Sequence, residues 1–279
     1  MINNMTIKSK LIALAILVTL SFVVILIMEN KAITDMKIIA AMDHDSEELN
    51  IQMLTLRKHE KDFLARKDVK YLASSKKVIK KIDKISSNLK KRLIHFDSDT
   101  ANLIAYDKIV HQYASIFEKL VLTQQEIGLN SKDGLYGELR AKVHQVQEYA
   151  KQSNDTGLLA KVYDLRKQEK DFMLRSDKKY LESFNKKINN LNADNQYIQM
   201  HDLLGEYKSS FSKLVQLEEV KGLDSKSGLL GEMRKIIHKS TDALKSLTKL
   251  INTLQSEKTE EIATFSLIFT IFVAALVVL

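Results

Sequence analysis

The chain has 279 residues, 45% of them hydrophobic and 28% charged, with no Pro, no Cys, no Trp and only 8 Gly. The absence of Cys excludes a disulfide framework, a thiolate metal site and a cysteine nucleophile. Without Pro and with little Gly, the usual helix terminators are missing and long helices are permitted. The net charge of +8 is dispersed along helical segments with no basic arm and no interleaved aromatics, which argues against a nucleic-acid partner.

In chain order, the first element is the uncharged run Leu11–Met28, about 27 Å of helix at about 1.5 Å per residue and long enough to cross a membrane. It is longer than a signal-peptide core and ends in Met28-Glu29-Asn30-Lys31 with no small-residue cleavage pattern, so an uncleaved span is expected. Lys8 and Lys10 precede it and place residues 1–10 in the cytoplasm. A second uncharged run, Ile262–Leu279, reaches the last residue. Two spans put residues 29–261 on the outer side, and a chain stopping in its second span reads as the fragment of a longer receptor.

Between the spans the apolar residues recur at alternating spacings of three and four, as at Leu49, Met53, Leu56 and Phe63, the period of a helix face. Polar breaks fall at Asp68, at 96–100, at 153–157, at Asp177 and at 192–195; Asp68 and Asp177 are suited to cap a following helix. Taken as turns, these five breaks predict six helices over about 30–66, 68–92, 98–151, 157–175, 177–191 and 196–262. Six is even, as a chain that leaves and re-enters one membrane requires; breaking at the two glycine segments as well gives eight, also even, but with badly mismatched helix lengths within each bundle, so six is expected.

Two segments occur twice. Leu56–Leu72 (LRKHEKDFLARKDVKYL) matches Leu165–Leu181 (LRKQEKDFMLRSDKKYL) at 12 of 17 positions, 109 residues apart. Gly128–His144 (GLNSKDGLYGELRAKVH) matches Gly222–His238 (GLDSKSGLLGEMRKIIH) at 10 of 17 positions, 94 residues apart. The region is a duplicated unit whose second copy is shorter between its two motifs. The expected fold is all-α, two stacked four-helix bundles sharing two long helices, flanked by two transmembrane helices. A proximal module covers about 30–128 plus 228–261, and a distal module about 129–227.

A two-span chain with paired LRxxEKDFxxRxDxKYL and GLxSKxGLxGExR motifs resembles the helical bimodular sensory domain. That domain occurs in bacterial methyl-accepting chemotaxis receptors and in some sensor histidine kinases. The resemblance covers about residues 30–261 and implies two stacked four-helix bundles that bind small organic acids, in a periplasmic sensor of the bacterial inner membrane. It further implies a homodimer and a cytoplasmic signalling module beyond this chain. Two other readings of the sequence stand beside it: a sensor with a histidine kinase or cyclase output, binding a different small ligand or a protein, and a ligand-free helical scaffold.

The residues offer an anion site directly. Arg57 and Arg166 each lie one position from a core leucine, where a guanidinium fork can reach a carboxylate bidentately. Lys61 and Lys170 lie one turn further on, and the plainer role of all four is to snorkel at the bundle edge. Glu60 and Glu169 fall on the apolar stripe, where a carboxylate must be paired; Arg140 and Arg234 of the GExR segments are the expected partners in a structural clasp at the module junction. Gly128, Gly134 and Gly137, with their copies Gly222, Gly228 and Gly231, suit either close helix packing or a hinge within the long helices. Gly205 has no evident role. His144 and His238 stand alone and do not suggest a metal. No catalytic motif is present, and neither an enzyme nor a cofactor is expected.

Overall fold

The computed structural model describes residues 6–278. Residues 1–5 of the expected cytoplasmic segment, and Leu279 of the second apolar run, lie outside the described residues. The protein is all-helical: α1 (Ile7–Arg66), α2 (Lys70–His95), α3 (Ala101–Ile127), α4 (Gly134–Gln152), α5 (Thr156–Arg175), α6 (Lys179–Asn192), a 3-10 segment (Asn195–Met200), α7 (His201–Lys221) and α8 (Gly228–Val278). Among the described residues there is no strand.

The five polar breaks separate helices as their chemistry requires. Lys67 and Ser176 close α1 and α5 in the left-handed conformation, both at φ 52°. Asp68 then accepts the Lys70 N–H at 2.9 Å, and Asp177 the Lys179 N–H at 3.0 Å. Asp155 caps α5 by accepting the Leu158 N–H at 2.9 Å. Each side chain satisfies a backbone donor that the first helical turn leaves open.

The glycine segments correct the expectation of six helices. The predicted helix 98–151 is interrupted between Ile127 and Gly134, and the predicted helix 196–262 between Lys221 and Gly228, so the described chain has eight α-helices. In the first loop Gly128 takes φ 121° and Gly134 φ 51°; in the second, Gly222 takes φ 119° and Gly228 φ 53°. A Cβ on Gly128 would sit 2.3 Å from the Asp133 carbonyl oxygen, and one on Gly222 at 2.3 Å from that of Ser227. Asn130 accepts the Lys132 N–H at 2.9 Å, and Asp224 the Lys226 N–H at 2.7 Å, the same side-chain-closed turn in both copies. Local unwinding, rather than close packing of continuous helices, is what these glycines serve. Gly205 lies inside α7 with open space where a Cβ would project.

By contact the chain divides into two compact units, one of 1–51, 82–106 and 242–279, the other of 52–81 and 107–241. In the first, Met42, Leu49, Leu89, Leu93, Leu247 and Ile251 are fully buried. Arg92 forms an ion pair with Asp45, and Ser46 shares a 3.0 Å hydrogen bond with Thr248. Burial pushes the Asp45 carboxyl up, against the opposing pull of Arg92. The N-terminal part of α1 is long and apolar enough to cross a membrane, with none of its apolar window buried. In α8 the large apolar residues Leu267, Ile268, Ile271 and Phe272 are likewise exposed.

In the second unit α4 packs on α5 and α7, and α6 on α5 and α7, closing a ring of four helices. Its core includes Val146, Val162, Phe172, Phe184, Ile188, Tyr207 and Phe211. The first repeated motif packs in the same way in each copy. Phe63 packs edge-to-face on Phe117 at 5.9 Å, and Phe172 on Phe211 at 5.7 Å.

Candidate anion-binding site

The two stripe glutamates are almost fully buried, each 2% exposed, but arginine is not their partner. The Tyr113 hydroxyl donates to Glu60 at 2.5 Å, and the Tyr207 hydroxyl to Glu169 at 2.8 Å. The second carboxylate oxygen of each pairs with the following lysine, Lys61 at 2.5 Å and Lys170 at 2.7 Å. Arg140 and Arg234 are exposed, and Arg234 donates to the Ser225 hydroxyl at 3.3 Å. The expected clasp of Glu60 and Glu169 on Arg140 and Arg234 is therefore replaced by a tyrosine clasp. A neutral phenol can follow the carboxylate into the core, whereas a second buried ion would carry a further desolvation penalty. Burial, and then the adjoining glutamate, push both phenols well above their usual range, so they stay protonated donors.

The tyrosines were legible. Tyr113, Phe117, Leu120 and Val121 recur as Tyr207, Phe211, Leu214 and Val215, at the same 94-residue offset as the glycine motif. The second repeat simply begins earlier than its glycines.

One cleft of about 280 Å³ gathers the cations. It is lined by Arg166, Glu169, Lys170 and Met173 of α5, Tyr136, Leu139, Arg140 and Val143 of α4, Asn130 and Ser131 of the first glycine loop, and Lys67 of the α1–α2 turn. Arg166 is held from below by a 2.6 Å hydrogen bond to the Gln147 side chain. The Lys67 ammonium lies 5.1 Å from the centre of the Tyr136 ring, a cation–π contact, and the Tyr136 hydroxyl donates to Glu218 at 2.9 Å. Burial, and then the like charge of Lys221, lower the Lys67 ammonium below its ordinary value, the direction a nearby anion would reverse.

The lining thus carries four cations and one carboxylate, Glu169, which Lys170 and Tyr207 already engage, while Glu218 beside Tyr136 attracts Lys67 from outside it. Arg140, Arg166 and Lys67 have no ion pair among the described residues, and they converge from two helices and a turn. Such a cleft can take a small carboxylate by charge-assisted hydrogen bonds. Of the expected ligand residues it contains Arg166 and Lys170 but not Arg57 or Lys61, which lie on α1 outside it. Lys67, Tyr136 and Asn130 were not singled out in the sequence. The six loop glycines take no part beyond shaping the turn that carries Asn130 and Ser131. His144 and His238 are exposed, and the described residues hold no cluster of three metal-ligating side chains.

Comparison of the chain with protein-family models, with curated proteins and with solved structures finds no match.

Proposed function

We propose that the chain is the ligand-sensing and membrane-spanning region of a bacterial chemotaxis receptor, responding to a small organic acid. The reading has the domain in the periplasm, between transmembrane segments 11–28 and 262–279 of the inner membrane. Its helices form two stacked four-helix bundles, most simply in a homodimer. The observation that carries the ligand class is the cleft of Lys67, Arg140, Arg166 and Lys170. Three unpaired cations in one small concavity repel one another, and an anion relieves that repulsion. The paired motifs of the sequence support the same assignment by their resemblance to helical bimodular sensors.

Signalling follows if the acid prefers one helix arrangement over another, since a ligand shifts an equilibrium only by its differential affinity. Lys67 is the residue after the end of α1, the helix that begins at Ile7. An anion bridging Lys67 to Arg166 and Arg140 ties the far end of that helix to α4 and α5.

The test is thermal unfolding of the full chain in detergent with a panel of mono-, di- and tricarboxylates. At least one acid is expected to raise the midpoint by a few degrees, the size that saturating a site at about 100 times its Kd gives. A flat response across the panel contradicts the proposal.

A further inference from the structure

The duplication invites the expectation of two equivalent sites, one in each copy. The two places are not equivalent. With the first motif aligned at its 109-residue offset and the second at 94, the cleft residues have counterparts in the other copy of each motif. Arg166, Glu169 and Lys170 correspond to Arg57, Glu60 and Lys61, and Arg140 to Arg234. The remaining positions differ in charge. Lys67 corresponds to Ser176, and Asn130 to Asp224.

Both differences make the counterpart set less positive. That set carries three cations and two carboxylates, Glu60 and Asp224, whereas the cleft lining carries four cations and one carboxylate. Asp224 remains ionised, since the Lys226 N–H bond to its side chain holds the carboxyl below the usual range. The supporting groups have changed as well. Gln147, which holds Arg166, corresponds to Thr241, whose hydroxyl donates instead to the Ile237 carbonyl at 3.1 Å. Tyr136, over which Lys67 lies, corresponds to Leu230, which offers no cation–π face.

We propose that the chain holds one anion site rather than two: the cleft built from α4, α5 and Lys67 binds an anion, while the counterpart set, with Ser176 and Asp224 in place of Lys67 and Asn130, does not. Lys67 and the neutral Asn130 are then the residues that decide which set binds. This inference rests on the sensor reading above and adds its stoichiometry and its selecting residues.

The backbone makes the exchange unusually safe to test. Ser176 occupies the same left-handed turn position as Lys67, at the same φ of 52°. Asp224 and Asn130 close the same turn through the same side-chain oxygen. Lys67→Ser therefore installs a residue that the other copy already tolerates, whereas Asn130→Asp also loses the 3.1 Å bond from the Asn130 amide to the Asp133 carboxylate, a position where the other copy has Ser227.

The experiment is calorimetric titration of the full chain in detergent with succinate and, separately, with whichever acid of the panel stabilises it most. The unmodified chain is expected to bind one acid per chain. Lys67→Ser with Asn130→Asp should weaken binding at least tenfold, and Lys67→Ser alone should weaken it with the unfolding midpoint of the unliganded protein unchanged. Lys67→Arg should retain most of the affinity. Ser176→Lys with Asp224→Asn should raise the stoichiometry from one towards two. Two acids per unmodified chain would overturn the inference. So would an affinity within twofold of the original after Lys67→Ser and Asn130→Asp, or a stoichiometry that stays at one after the reciprocal swap. If the unmodified chain binds no acid at all, it is the sensor reading itself that fails, and the two failures are thereby told apart.

Discussion

Gly128→Ala, and equally Gly222→Ala, is expected to destabilise the protein by about 3 kcal/mol or more, with the second unit responding first. Two effects add at each position. The backbone stands at φ 121° or 119°, outside the regions an L-residue with a Cβ occupies readily. The new methyl would also lie 2.3 Å from a backbone carbonyl oxygen across the loop. Backbone is the neighbour in both cases, so no side chain can rotate away to relieve the clash. Gly137→Ala should be harmful for the second reason alone, because its Cβ would meet the Lys132 carbonyl oxygen at 2.4 Å. Gly205→Ala, with nothing near the added methyl, is the matched control. Chemical denaturation of the full chain in detergent reads all four. A continuous-helix account of the glycine segments predicts the opposite sign, because alanine stabilises a helix interior by up to about 1 kcal/mol over glycine.

Tyr113→Phe should lower stability by about 2 kcal/mol, and Glu60→Ala by about 3 kcal/mol. The first leaves a buried carboxylate without its phenol donor; the second orphans the phenol and opens a void between α1 and α3. Removing both polar groups together, as Glu60→Leu with Tyr113→Phe, should recover much of the loss, since neither is then left unsatisfied. The cycle of single and double variants isolates the coupling. Arg140→Ala is the discriminating control. An arginine clasp on the buried glutamate predicts a cost of about 3–5 kcal/mol for losing that partner. An exposed Arg140 with no ion pair predicts a change of about 0.5 kcal/mol or less. Unfolding midpoints of these variants distinguish the two arrangements.

What could be read from the sequence, and what could not, follows from the range of each interaction. The starts of α2 and α6 were legible because Asp68 and Asp177 act on backbone donors two residues away. The duplication was legible because it is a property of the string. The glycine loops were misjudged as helix because single glycines are tolerated in helices, and an even helix count was satisfied without breaking there. The contrary signal was present in both copies: a short polar residue, Asn130 or Asp224, flanked by two glycines six apart. Arg166 and Lys170 could be named from their motif. Lys67 could not, because it reaches the cleft from a turn about 100 residues earlier in the chain and only folding brings it beside Arg166. Arg140 could be named only as a partner for a buried glutamate, whereas it lines the cleft and is exposed. Spacing showed that the glutamates needed a donor, but not that a phenol, the less costly choice in a core, would supply it.

Arg166 is the residue on which organic-acid binding in the cleft of α4, α5 and Lys67 turns. Direct titration of the full chain and of Arg166→Ala with the most stabilising carboxylate tests it. The account predicts saturable binding by the unmodified chain and at least a tenfold loss in Arg166→Ala, about 1.4 kcal/mol or more, with Arg57→Ala binding as the original does. Equal affinities for the unmodified chain and Arg166→Ala would contradict it.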